Sequence, residues 1–259
     1  MLILLPPSEG KAAPARGRPL DLASLSSPEL TPTRERILGA LERLCHREPD
    51  HACTVLGLSA KQGDLVERNA SLASAPTARA DRIYDGVLYD ALEAGTLSTT
   101  AKRRAASRVA VTSSLFGLVR LTDRIPAYRL SGDVNLPGAG QIAGLWRDAL
   151  DPVATDAVGR GLLVDLRSGM YAGFWRPSTA LAPRVATLRV LHEVGGERKV
   201  VSHFNKATKG RLVRTLLEDG ADPRTPAQLA DALTDLGWKV ETGEPTGKGT
   251  QLDVVVTDL

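Results

Sequence analysis

The chain opens on an uninterrupted apolar run, Met1-Leu-Ile-Leu-Leu5, and stops it at Pro6-Pro7. That is far short of the ~20 apolar residues that span a bilayer. Proline removes a ladder donor and fixes φ, so extended structure ends there. The run therefore predicts a short β-strand that is apolar on both faces and buried, with no exposed edge. It has no basic n-region, and no long apolar stretch follows, so it does not read as a signal peptide. Two cysteines, Cys45 and Cys53, are too few for a disulfide framework. Together these features predict a cytoplasmic protein without membrane association.

The same reasoning predicts further strands at 108–112, 127–130, 161–166, 185–193, 199–204, 238–241 and 252–256. Gly195-Gly196 predicts a hairpin turn. Helical periodicity is expected over 33–44, where Ile37, Leu38, Leu41 and Leu44 share a face, and over 59–72, 80–92, 145–150, 207–218 and 226–236. Residues 12–32, rich in Ala, Pro, Arg, Ser and Thr, read as an irregular surface segment. Strands and helices are interspersed, with no repeat and no long linker. The expected class is α/β (mixed α+β): one compact domain over 1–259, a mixed sheet with surrounding helices.

Lys and Arg number 33 against 30 Asp and Glu, a net charge of +3, so the total says little and the distribution matters. Aromatics are only 4% of the chain, which argues against a platform of stacked rings for single strands. Arg198 to Arg214 carries Arg198, Lys199, Lys206, Lys209, Arg211 and Arg214 with no carboxylate before Glu218. No i,i+4 pair inside the run neutralises these charges. Gly210 and Gly117 are expected to admit close backbone approach to a ligand. The bland alternative is a solvated helix face. A second run, Lys102-Arg-Arg104 with Arg108, reads as solvated surface.

Cys45, His46, His51 and Cys53 fall within nine residues, and thiolate and imidazole suit zinc or iron. The short cysteine spacing and second half-site of a zinc module are missing, so no metal is expected there. Pro6-Pro-Ser-Glu-Gly-Lys11 is not a Walker A loop, and neither a Gly-x-Ser-x-Gly nor a Gly-x-Gly-x-x-Gly motif occurs. No cofactor is expected.

That opening, taken whole, resembles the start of YaaA-family peroxide-stress proteins, in the branch with Pro-Pro-Ser-Glu-Gly-Lys. Tyr89, Ser114-Leu-Phe-Gly-Leu-Val-Arg120, Asp123, Pro126-Ala-Tyr-Arg-Leu130, Leu145-Trp146 with Asp148, Ser168, Tyr171 and Lys206 through Arg214 are similar to family segments in the same order. The resemblance implies a bacterial protein that helps cells survive hydrogen peroxide by restraining unincorporated iron. It also implies a compact α/β fold, DNA binding, a positive cleft and a helix-hairpin-helix near Val55 to Leu72. Leu58-Ser-Ala-Lys-Gln-Gly63 departs from that hairpin, having one glycine and no Gly-apolar-Gly. The cleft is therefore expected to carry the contacts.

Two functional expectations follow. One is DNA held through its phosphates by Lys11, Arg129, Lys206, Lys209, Gly210, Arg211 and Arg214. The other is an enzyme acting on a nucleotide or other phosphorylated small molecule in the same cleft. Its candidate residues are Ser8, Lys11, Ser114, Tyr128, Arg129, Ser168, Tyr171 and Lys206, with Lys11 or Lys206 as a base if burial lowers its pKa. Sequence alone leaves open whether the protein is an enzyme, whether the basic residues share a face, and its oligomeric state.

Overall fold

The structure is a computed structural model that describes residues 1–200 and 202–257. In chain order it runs β1 (Leu2–Leu5), α1 (Thr31–Arg47), α2 (Pro49–Val55), α3 (Gly63–Asn69), β2 (Ala78–Arg79), α4 (Ala80–Ile83), α5 (Val87–Leu92) and α6 (Thr99–Arg108). There follow β3 (Val109–Ser113), β4 (Gly117–Arg120), β5 (Arg124–Ile125), β6 (Asn135–Leu136), β7 (Gly140–Gln141) and α7 (Ile142–Val158). The last third comprises β8 (Leu163–Asp165), α8 (Gly169–Ala172), β9 (Val185–Val194), β10 (Glu197–Lys199), α9 (Ser202–Asp219), α10 (Pro226–Asp235), β11 (Lys239–Thr242) and β12 (Thr250–Val256).

The main sheet has the order β11-β12-β9-β8-β1-β3-β4, with β10 added on β9. Four adjacent pairings, β12–β9, β9–β8, β8–β1 and β1–β3, are parallel, while the β11–β12, β3–β4 and β9–β10 pairs are antiparallel. The opening run therefore lies inside the sheet, and Leu2, Ile3, Leu4 and Leu5 are fully buried. Strands buried on both faces read as continuous apolar runs. The class is a mixed α/β domain on one hydrophobic core.

Several elements differ from the sequence reading. Residues 127–130 form no strand. They are a loop tied by Asn69, which donates to the Arg129 carbonyl at 2.6 Å and accepts from the Arg129 N–H at 2.9 Å. The 80–92 stretch breaks into α4 and α5 at Gly86, and the 59–72 helix shortens to α3 after a 3-10 turn. The helix expected at 145–150 extends to 17 residues with Pro152 inside it. The strand expected at 199–204 is β10 through Lys199 only. Val201 lies outside the described residues, and Ser202 already belongs to α9. Among the described residues, no helix is long and apolar enough to cross a membrane.

The glycines expected to admit a ligand are taken up by packing. A Cβ on Gly210 would run into the Leu88 carbonyl oxygen, so α9 lies hard against α5 there. A Cβ on Gly117 would meet the Trp146 ring, and φ is +74°. Alanine is a better helix former than glycine by roughly 1 kcal/mol. Overpacking nevertheless costs about 1–3 kcal/mol, so Gly210→Ala is expected to lower the urea midpoint. An unchanged or raised midpoint would show that the two helices do not approach this closely.

Candidate functional site

The parallel strands β8, β1 and β3 end side by side, and the segments that follow them carry most of the expected residues. After β1, the loop Pro6–Lys11 turns back and is pinned to the end of α4. Lys11 bridges Tyr84, and the Ala12 N–H donates to the Ile83 carbonyl at 2.9 Å. Ser8 accepts from the Asp85 N–H at 3.1 Å, and the Tyr89 hydroxyl donates to the Pro6 carbonyl at 2.7 Å. After β3, Ser113 Oγ accepts from the Phe116 N–H at 3.0 Å and lies 2.7 Å from the Tyr128 hydroxyl. Tyr128 OH is 3.2 Å from Tyr84 OH, which makes a buried chain of three hydroxyls.

Lys11 sits on this chain. Its Nζ lies 4.2 Å from the Tyr128 ring centroid and 5.7 Å from that of Tyr84, and donates to the Ser8 carbonyl at 2.7 Å. Although the residue as a whole is only half-buried, its ammonium is enclosed by these rings and carbonyls. Burial, with Arg129 adding like-charge repulsion, brings the Lys11 pKa down to about 7, while Asp85 and Glu9 oppose the shift. The ring faces also favour the charged form, by roughly 0.5–2 kcal/mol. Burial wins. Burial likewise holds the phenols of Tyr84, Tyr89, Tyr128 and Tyr171 above their ordinary value, so they act as neutral hydroxyls.

Arg129 projects toward the same loop. Its Nη1 reaches the Glu9 carboxylate at 3.5 Å, and its buried Nε has no hydrogen-bond partner among the described residues. A cavity of about 160 Å³ opens here between Ser8, Arg129, Ser168, Tyr171 and Lys206. The structure thus brings five of the expected residues around one pocket, and Lys11 lies behind them with its ammonium on the Ser8 carbonyl. Tyr128 underlies them. Ser114 does not reach the cavity, because its hydroxyl donates to the Leu130 carbonyl at 2.6 Å and fixes the 126–131 loop.

The basic run is dispersed. Arg198 pairs with Glu241 at 2.7 Å and Glu193 at 3.2 Å, and Lys199 pairs with Glu197 at 2.6 Å, so carboxylates distant in sequence or on the hairpin supply what the helix lacks. Arg214 closes the end of α5, donating to the carbonyls of Leu92 and Glu93 and to Thr96. Lys209, its pKa lowered by burial, donates to the Leu166 carbonyl at 3.2 Å behind the cavity. Lys206 and Arg211 stay exposed, and among the described residues no carboxylate pairs with either. In the second run, Arg104 and Arg108 donate to carbonyls at the C-terminal end of α9, from Leu217 to Ala221, where cations suit the helix dipole.

Cys45, His46 and Cys53 border a surface depression between α1, α2 and α3, but His51 does not. Burial pushes the Cys45 thiol up to about 11, away from a thiolate ligand. Among the described residues, no group of three or more His, Cys, Asp and Glu is placed to hold a metal. The helix pair expected over Val55 to Leu72 is not formed there: α2 ends at Val55, and the range holds a 3-10 turn and α3, whose last residue, Asn69, is spent on the Arg129 backbone. Sequence reasoning missed Tyr84 and Ser113, which join the buried hydroxyl chain, and Asp85, which borders the adjoining cavity. The Asp85-Gly86 break in an otherwise helical stretch was the available signal for Tyr84 and Asp85.

A lysine whose folded pKa lies below its ordinary 10.5 costs stability wherever it must be charged in the fold. The cost is fully present below about 7 and fades as pH rises toward 10.5. Lys11→Met is accordingly expected to raise the thermal midpoint at pH 6, with the gain shrinking at pH 9. Arg129→Met should move the Lys11 titration up, and Asp85→Asn should move it down, when followed by NMR of labelled lysine. No movement in either variant would remove Arg129 and Asp85 as its neighbours in charge.

The sequence matches the family model described as Peroxide stress protein YaaA over residues 1–243. A UPF0246 protein of Streptomyces coelicolor is 51% identical over all of both chains. Another, of Corynebacterium efficiens, is 44% identical over 99% of this chain and all of its own. A third, of Cereibacter sphaeroides, is 33% identical over 86% of this chain and 88% of its own. Matched by the family model over residues 1–243 and by a relative over its whole length, the chain belongs to the YaaA peroxide stress protein family.

Proposed function

We propose that this peroxide stress protein works through the enclosed pocket beside Lys11, and that the pocket takes the phosphate group of a small molecule. The observation that carries this reading is one cavity lined by Lys206 and by Arg129, whose buried Nε is unpaired among the described residues, and by Ser8, whose carbonyl accepts from the buried Lys11 ammonium. A cation held against a cation, with a buried guanidinium N–H left unpaired, is a site short of one anion. Arg129 supplies forked donors, Lys206 a mobile charge, and Ser8 and Ser168 neutral hydroxyls. Lys11, half-protonated near neutrality, is able to give or take a proton at a bound group.

Extended duplex DNA is the second reading, favoured by the exposure of Lys206 and Arg211 on one helix. It draws less support, because Arg198, Lys199 and Arg214 are paired with carboxylates and Lys209 is turned inward. In the pocket reading, a contribution to limiting iron-driven oxidative damage runs through the phosphorylated ligand.

Ribose 5-phosphate is the test ligand, titrated calorimetrically between pH 6 and 9. Loss of a charged hydrogen bond costs about 1.5–3 kcal/mol, so Arg129→Ala is expected to weaken binding roughly ten- to hundredfold. Affinity should fall as pH rises through 7, where Lys11 loses its charge. Absence of binding, or binding indifferent to Arg129→Ala and Lys206→Ala, would sink the pocket reading. Duplex binding at low salt that Lys206→Glu with Arg211→Glu abolishes, without any binding of the sugar phosphate, would establish the groove instead.

A further inference from the structure

Two neighbouring cavities, a smaller and a larger lobe around the Pro6–Glu9 loop, share part of their lining, and their chemistry differs. Pro6 to Glu9 and Lys206 border both. The smaller lobe, about 160 Å³, adds Arg129, Ser168 and Tyr171. The larger, about 370 Å³, extends the other way past Val87, Leu88 and Tyr89 to Asp85. Resting on the reading of the smaller lobe as a phosphate site, we propose that the two lobes together take a free nucleoside monophosphate, phosphate beside Arg129 and nucleoside toward Asp85.

Size gives the first argument. A lone phosphate needs no more than the smaller lobe, while 370 Å³ falls in the range of about 300–1,000 Å³ that buries a ring-bearing ligand. The wall gives the second. Pro6, Pro7, Val87, Leu88 and the Tyr89 ring offer apolar surface suited to a flat heterocycle. The Tyr89 hydroxyl is already bonded to the Pro6 carbonyl, so this ring is held in place as a wall.

Asp85, the carboxylate across the larger lobe from the Glu9 that borders both lobes, is the third. Asp85 belongs to a segment fixed by its own N–H to Ser8 Oγ at 3.1 Å, and a fixed carboxylate is the group that accepts from ribose hydroxyls or an exocyclic amine. A second phosphate in that lobe would face it with like charge. A sugar phosphate without a base would leave the apolar wall wet. Lys206, bordering both lobes, is placed where the phosphate meets the sugar.

The test is calorimetry on the full chain with AMP, GMP, CMP, UMP, ribose 5-phosphate, inorganic phosphate and a single-stranded hexanucleotide. At least one mononucleotide is expected to bind tenfold or more tighter than ribose 5-phosphate. Val87→Trp, which fills the larger lobe, and Asp85→Ala, which removes its acceptor, should each erase that gain, read as the ratio of mononucleotide to ribose 5-phosphate affinity within the same variant, and ribose 5-phosphate affinity itself should stay within about twofold in Val87→Trp. The half-buried Val87 and Asp85 are chosen so that folding survives in at least one variant, checked by near-UV circular dichroism.

Equal affinity for mononucleotides and ribose 5-phosphate would overturn the nucleoside assignment and leave the phosphate site standing. Failure of every phosphate compound to bind would overturn both. A gain that survives in both variants would overturn the lobe assignment. Tighter binding of the hexanucleotide than of any mononucleotide would overturn the free nucleotide as occupant.

Discussion

The pairing of β1 between β3 and β8, parallel on both sides, is the constraint from which the site follows. Parallel neighbours end at the same edge, so Pro6–Lys11, Ser113-Ser114 and Arg167-Ser168 emerge together. Open α/β sheets gather ligands at such carboxyl ends, where neighbouring connections diverge. Register deserves a physical account here, because β1 is apolar at every position and a one-residue slip would still bury only apolar side chains. What fixes it is the flanking backbone and the loop beyond. Leu2 N–H donates to the Leu162 carbonyl at 2.8 Å, Leu166 N–H to the Leu4 carbonyl at 2.9 Å, and the Lys11–Tyr84 bridge anchors the loop. The two prolines then forbid any lengthening.

A second device holds the β3–β4 turn. Arg34, fully buried on α1, donates to the carbonyls of Phe116, Leu118 and Ser26 at 2.8–3.1 Å. Burial draws its pKa down to about 10, still far enough above neutrality to keep it charged. Asp123 closes the same corner, accepting from Ser26 and from the Arg120 N–H. Cations spent on backbone carbonyls recur in this chain, at the half-buried Lys209 and Arg214 as well. That habit explains why a count of basic residues overstates the positive surface. Many of the arginines are brackets.

The legible parts of the sequence were those fixed by local chemistry. Apolar runs ended by Pro or Gly gave β1, β3, β8 and the β9–β10 hairpin, and the capped repeat from Pro226 gave α10 with Thr225 accepting at its N-terminus. The opening loop and the residues near it pointed to the pocket for a similar reason: hydroxyls and cations at strand ends have few structural uses. What the sequence hid was long-range. Nothing local reveals that Glu241 neutralises Arg198 from across the sheet, or that Asn69 replaces a strand neighbour for Arg129. Gly210 looked permissive because glycine's role in close helix packing is written in the partner helix, not in its own neighbours. Tyr84 and Asp85 fall at the end of a four-residue helix that periodicity merges with the next.

The electrostatics of the pocket tie its occupancy to a proton. Lys11 is held partly neutral by its enclosure and by Arg129, and an anion settling between them would offset both influences at once. On the proposed reading, binding would draw a proton onto Lys11, and by reciprocity a lower pH would tighten binding. Glu9 alone does not achieve this. It is exposed and reaches Arg129 only at 3.5 Å, so water screens much of its charge. The hydroxyl chain through Tyr128, Ser113 and Tyr84 adds polar groups that stay neutral, which lets the amine change its charge without a compensating ionisation nearby. A packed apolar core would be the more stable solution at this point of the sheet. On the proposed reading, the buried amine there, which among the described residues has no carboxylate at hydrogen-bonding distance, serves a transient anion.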